Sequence, residues 1–167
     1  MRAGPGRVLA VLDTSFWVAA YRAEVAANCL DLFQIVVPRA VEAEIRSVEA
    51  VAPRREYPYA TLFRHLRGQL RDPPPEAPAA LPRFGPGEAE AIALAGHLSA
   101  VLLINERRGA QYAANLGIRV ASVPAVIVAL RARDVIGERA ARRKLALIEP
   151  ITAREIVEAA RRALAAL

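Results

Sequence analysis

The sequence predicts an α/β fold, a parallel sheet covered by helices on both faces, in one domain over residues 1–167. Three observations carry that expectation. Short aliphatic runs, among them "VLAVL", "QIVV" and "VLLI", read as buried strands because no charge interrupts them. Helical patterns lie between those runs. Proline and glycine punctuate the joints.

Each element follows in order. Residues 7–12 form the first strand, β-branched and aliphatic after Arg7. A helix covers 16–32, with room for one break near Glu24. Residues 34–37 are a second short strand, and Pro38 suits the first turn of a helix running to about Val48. Another helix covers 59–70. The stretch "RDPPPEAPAALP" at 71–82 is too rich in proline for a helix interior or a central strand, and reads as a surface connection. Order restarts after the glycines and proline at 85–87, with a helix over 88–98. Residues 101–104 form the third strand, 107–116 a helix ended by Gly117, 118–121 the fourth strand and 124–132 a helix. The tail carries a capping box, Thr152 with Glu155, and its apolar Ile156, Ala160 and Leu164 recur at helical spacing.

Composition narrows the function classes. Hydrophobic residues make up 54% and charged residues 24%, which describes a globular chain. No apolar run is long enough for a membrane span. The N-terminal apolar stretch is short, breaks at Asp13 and lacks a cleavage-like site, so no signal peptide is expected and a cytoplasmic location is. Cys29 is the only cysteine; it excludes an intrachain disulfide and a cysteine-cluster zinc site, and reads as a small core residue. Formal net charge is +6, and Lys144 is the only lysine. An arginine-rich basic surface suits nucleic acid or another polyanion, although GC-rich codons also favour arginine.

The informative residues are acids at the strand ends. Asp13 follows the first strand, and Asn105 and Glu106 follow the third directly. Glu44 lies about two turns into the helix after strand two, and Glu88 and Glu90 open the helix before strand three. In a parallel sheet the functional crevice lies beyond the carboxyl ends of the strands, so these acids converge there. Carboxylates gathered at close range repel and raise one another's pKa unless a cation neutralises them. An all-oxygen set suits Mg²⁺ or Mn²⁺. Such an ion activates water and holds phosphate oxygens, with no need for a histidine base.

Every acid also has a plainer reading. Asp13, Thr14 and Ser15 are all good N-cap residues. Glu44 could be a solvated helix face, and one of Glu88 and Glu90 could serve only the helix dipole. Glu90 lies one turn before Leu94 and shares its face, which makes it the expected inward carboxylate. Glu106 could be a first-turn acid.

These segments resemble a PIN domain. "VLDTS", the helix acid in "VPRAVEAEI", "GEAEAIALA" and "VLLINERRGAQYAANLGIRVASVPAVIVAL" occur in the family's order over residues 7–135. The resemblance is to the prokaryotic single-domain branch that includes VapC-type toxins. It implies a three-layer α/β/α sandwich around a parallel sheet of four to five strands, and a Mg²⁺- or Mn²⁺-dependent ribonuclease. Carried over by position, Asp13, Glu44 and Glu90 would be the first three family acids, with Glu88 a neighbour and Thr14 or Ser15 the hydroxyl beside the first. Asn105-Glu106 stands where relatives read an aspartate followed by an acid, so Glu106 would complete the metal set and Asn105 would offer a neutral oxygen. Ala110 and "ASVPAV" also depart from the family pattern. Arg107 and Arg108, beside the site, are expected to touch a phosphate backbone. The resemblance further implies RNA as substrate, an antitoxin partner and a homodimer. Two competing readings are a catalytically weak or inactive PIN scaffold that serves as a nucleic-acid-binding or protein-interaction module, which Asn105 favours, and a phosphate-binding protein or small-molecule phosphatase, which the lack of a glycine loop after a strand disfavours.

The remaining motifs read as structural. His65 and His97 have no ligand partner at useful spacing, Phe16 and Trp17 read as core, and the arginine pairs at 54–55 and 142–143 as solvated faces. Aromatic residues total 5%, which gives no sign of a base-stacking platform.

Overall fold

In the computed structural model, residues 6–51, 57–76 and 83–167 are described, with backbone alone at 49–51. Arg54 and Arg55, and residues 77–82 of the proline-rich connection, lie outside them. Four strands form one parallel sheet in the order β2-β1-β3-β4. They are β1 (Val8–Leu12), β2 (Phe33–Val36), β3 (Val101–Leu103) and β4 (Val120–Ala121). Val11 pairs with Val36 on one side and with Leu102 on the other, so β1 is central. Its Ala10, Val11 and Leu12 are fully buried, as an uncharged aliphatic strand covered on both faces should be.

The helices are α1 (Thr14–Arg22), α2 (Cys29–Leu32), α3 (Arg39–Val51), α4 (Pro58–Leu66), α5 (Pro86–His97), α6 (Arg107–Asn115), α7 (Val123–Ala132), α8 (Glu138–Ile148) and α9 (Arg154–Ala165). Parallel crossovers are right-handed. The chain leaves β1 toward β2 but returns past β1 to β3 and on to β4, so its crossover helices must lie on opposite faces. In the packing, α5 lies against α3 and α6, and α9 lies on α7 and α8, while α1 touches α7 and α8 and also meets α3 and α4. The result is a three-layer α/β/α sandwich. The reversal of direction at β1 puts the crevice between the ends of β1 and β3.

Several boundaries differ from the sequence-based expectation, each for a physical reason. The first helix does break at Glu24, which takes a positive φ of 58° after α1. The helix expected over 59–70 ends at Leu66 and tightens into a 3₁₀ turn over Arg67–Gln69. Arg71 then lies beside β2, its N–H donating to the Ile35 carbonyl at 2.8 Å, so the start of the connection extends the sheet edge. Helix α8 was not anticipated, although its buried Ala141, Lys144, Leu145 and Ile148 recur at helical spacing. The Thr152–Glu155 capping box does not form. Ala153 is the N-cap of α9, Thr152 Oγ1 accepts from Asn105 Nδ2 at 3.4 Å, and Glu155 pairs with Arg107 at 3.2 Å.

Other expectations hold. Phe16 and Trp17 are buried; Trp17 meets the Phe63 ring edge-on at 5.4 Å and donates its indole N–H to the Tyr59 carbonyl at 2.8 Å. Cys29 is buried, and burial pushes its thiol up to about 12, so it packs as an inert apolar group. His65 and His97 are both exposed. Among the described residues no helix is long and apolar enough to cross a membrane.

Candidate active site

Asp13 is the first residue past β1, and its N–H still pairs with the Leu103 carbonyl at 3.0 Å, which ties the two strand ends together. Its side chain caps α1: Oδ2 accepts from the Ser15 N–H at 2.9 Å and from the Ser15 hydroxyl. The capping reading is therefore real, and it fixes the carboxylate at the crevice floor. The residue is 3% exposed. Burial pushes its pKa up, the Ser15 hydrogen bonds pull it back, and the Glu44 charge adds to the rise.

Glu44 reaches the same floor from α3. Its Oε2 accepts from the Thr14 hydroxyl at 2.5 Å and its Oε1 from the Gly87 N–H at 2.8 Å. Position 87 must be glycine for this approach, since a Cβ there would overlap the carboxylate. The solvated-face reading of Glu44 does not describe it.

Glu88 and Glu90 divide differently from the periodicity argument. Glu90 turns away from the crevice and accepts from the Arg39 and Ala40 N–H groups at 3.0 and 2.8 Å. Those are first-turn amides of α3, donors with no partner inside their own helix, and a carboxylate answers them well. Glu88 turns inward. Its Oε1 is buried without a hydrogen-bond partner and lies where a Cβ on Gly109 would be. Burial first, then the charges of Glu106 and Asp13, push Glu88 up to about 7.

Glu106 caps α6, its Oε2 accepting from the Gly109 N–H at 2.7 Å. Burial raises this carboxyl, but the Gly109 and Arg108 N–H groups and a proton shared from Glu88 hold it below the ordinary value. Asn105 sits between the two strand ends. Its N–H donates to the Ser15 hydroxyl at 3.2 Å, its Oδ1 accepts from the Val123 N–H at 3.3 Å, and its amide reaches Thr152. Its side chain joins β3 to the starts of α7 and α9.

The crevice therefore gathers Asp13, Glu44, Glu88 and Glu106 with Thr14 and Ser15, and leaves Glu90 outside. Among the described residues no three carboxylates stand close enough to form a ready metal cage. The donor set is nevertheless all oxygen, two of its acids are raised, and one buried carboxylate oxygen has no donor. That combination fits a hard cation held by one or two carboxylates through its water shell, as Mg²⁺ is commonly bound.

A family model described as a PIN domain matches residues 9–164. The chain belongs to the PIN-domain family. No curated protein matches it. Membership gives the crevice its meaning: PIN domains are generally nucleases and typically use divalent metals. In this PIN domain the acids come from the ends of β1 and β3 and from two helices packed on the same side, α3 and α5. The inward turn of Glu88 was the feature that sequence reasoning missed. The pairing of Gly109 with Glu88 could not be foreseen from local pattern, because the two residues meet only when α6 packs on α5.

Proposed function

We propose that this PIN domain is a ribonuclease that hydrolyses RNA phosphodiester bonds with Mg²⁺ or Mn²⁺, using Asp13, Glu44, Glu88 and Glu106. The observation that carries the proposal is the buried, partnerless Glu88 Oε1, lodged among other acids whose charges press on it. Such a group is costly to keep ionised without a cation. When bound, the cation would neutralise the acids, hold the phosphate oxygens and make a water acidic enough to attack. The chain's own part is positioning. Ser15 fixes the Asp13 carboxylate, Thr14 and the Gly87 N–H fix Glu44, and the start of α6 fixes Glu106. Arg107 and Arg108, both exposed on the first turn of α6, are placed to meet the RNA backbone beside that cluster.

The test is cleavage of mixed single-stranded and hairpin RNAs with Mn²⁺. Activity abolished by Asp13→Asn and by Glu88→Gln, but kept by Glu90→Gln, supports the assignment. Equal loss with Glu88→Gln and Glu90→Gln would return Glu90 to the site. By the same family resemblance the protein would act in the cytoplasm as the toxin of a toxin–antitoxin pair, and as a homodimer. Induced expression that arrests growth only while Asp13 is intact would support the toxin role.

Asn105 favours a second reading, a scaffold that binds RNA without cutting it. The neutral amide there is committed to Val123 and Thr152. Binding without cleavage in wild type and Asp13→Asn alike would select it.

A further inference from the structure

Glu90 lies outside the crevice, yet it holds the helix that brings Glu44 into it. Helix α3 has no cap of its own, because Pro38, the residue before it, carries no side-chain acceptor. Glu90 of α5 supplies the missing group, accepting from the Arg39 N–H at 3.0 Å and the Ala40 N–H at 2.8 Å. One turn further along α3, Glu44 Oε1 accepts from the Gly87 N–H, again at 2.8 Å. Ala40 and Glu44 stand one turn apart on α3, and so do Gly87 and Glu90 on α5, so each pair shares a helix face. The order of the contacts, Ala40 with Glu90 and Glu44 with Gly87, makes the two packed helices antiparallel and pins them at two points.

We infer that Glu90 is a positioning residue for Glu44: by capping α3 it sets the register of that helix on α5, and with it the place of the Glu44 carboxylate in the crevice. The inference rests on the metal-dependent reading above and deepens it. Apolar burial, which takes in Val41 and Ile45 of α3 and Ala91 of α5, attracts without direction and leaves a helix free to slide. Hydrogen bonds remove that freedom. A slide of one residue rise, about 1.5 Å, would carry Glu44 Oε1 out of reach of the Gly87 N–H. The fit leaves little slack, since a Cβ on Gly87 would already overlap the carboxylate. The Gly87 N–H is also a direct witness. It belongs to the first turn of α5, where no carbonyl of its own helix is in reach, and the residue is buried. Its protection from exchange therefore reports the Glu44 contact.

The experiment has two arms on the full chain. In EDTA, hydrogen exchange at the Gly87 amide is followed by NMR. Glu90→Ala should cost that amide about tenfold or more of its protection, while Glu90→Gln, which keeps one acceptor oxygen, should stay within about threefold of wild type. In the second arm Mn²⁺ alone is titrated and its binding read by EPR. Glu90→Ala should raise the Kd about tenfold, yet add less than about twofold in a Glu44→Ala background, because the partner through which it acts is gone. Unchanged Gly87 protection in a folded Glu90→Ala protein overturns the inference. So does an equal rise in Kd with and without Glu44, which would give Glu90 a general role in folding. Where Glu90→Ala does not fold, Arg39→Pro decides: proline suits the first helical position and deletes one of the two donors. A fall in Gly87 protection then supports the inference, and no change overturns it. Failure of the two readings is separable. Gly87 protection that depends on Glu90 in a protein that binds no Mn²⁺ keeps the positioning role and removes the metal site. Mn²⁺-dependent cleavage with Gly87 protection indifferent to Glu90 keeps the nuclease and removes the positioning role.

Discussion

The two ends of α1 handle charge in opposite ways. Past its C-terminal end, the Glu24 carboxylate is held at 2.5 Å by Arg143 and faces Lys144 at 3.8 Å, and its carbonyl accepts from Lys144 Nζ at 2.6 Å. The Arg143 hydrogen bond draws the Glu24 carboxyl below its ordinary value. Lys144 is 8% exposed, and that single ammonium clamps the left-handed turn at Glu24 onto α8. At the N-terminal end, Asp13 and Glu44 approach each other with hydroxyls and N–H groups around them and, among the described residues, no basic side chain in their hydrogen-bond shells. Folding alone favours the first arrangement and opposes the second. The mismatch marks where the protein trades stability for a ligand.

The largest effect expected from breaking the comparison is on the acidic end. Asp13→Asn keeps the cap on Ser15 but removes the charge, and should reduce metal-dependent RNA cleavage by at least about 100-fold, read in a Mn²⁺ cleavage assay. The same variant should melt no lower than wild type in EDTA, because a buried like charge has gone. A marked fall in melting temperature would mean that the carboxylate serves folding after all.

Next in size is the response to the ion itself. At a hundred times its dissociation constant a divalent cation adds about 2.7 kcal/mol, and for a chain of this length that raises the midpoint by roughly 5–10 °C. Thermal scans with and without Mg²⁺ or Mn²⁺ check this, and Gly109→Ala sharpens it. A methyl group there would displace Glu88 from its slot and should remove most of the shift. No shift in the wild type would count against the cation reading.

A smaller effect concerns pH in EDTA. Burial and the neighbouring acids push Glu88 from its ordinary 4.5 up to about 7 in the folded protein, which therefore holds the proton more tightly. Below about pH 4.5 both states are protonated and nothing is lost. As pH rises toward 7 the unfolded chain ionises first and stability declines; above 7 the loss is complete. Glu88→Gln should flatten that decline in melting temperature between pH 5 and 8.

At the other end, Lys144→Met should lower stability by about 1–3 kcal/mol, because the Glu24 carbonyl loses its donor, while leaving RNA cleavage per folded molecule unchanged. Denaturant melts and the cleavage assay separate the two. The smallest effect belongs to Asn105→Asp, which keeps an acceptor for the Val123 N–H and adds charge near Ser15. A modest gain in metal-dependent cleavage is expected if the neutral amide only weakens the site.

How far the site could be read in the sequence varied with the distance over which each contact acts. Asp13 was legible because its cap is local, three consecutive polar residues at the end of an apolar strand. The plainer reading of Glu106, a first-turn acid of α6, falls one position from its place as the N-cap of that helix. The helix face it shares with Leu94 points Glu90 inward, and Leu94 is indeed fully buried. That face, however, meets the start of α3, whose first-turn amides have no partner within their own helix, take Glu90 as acceptor and lie about fifty positions away in the chain. Helix α8 was overlooked although its apolar spacing is plain.

Alternation of apolar runs with helical segments was sufficient to specify a parallel α/β sandwich and to put acids at the strand ends, since both follow from local periodicity. Which carboxylates face one another was decided only when α3, α5 and α6 packed side by side. Helix periodicity places a side chain on a face, whereas the neighbour that face will meet depends on long-range packing.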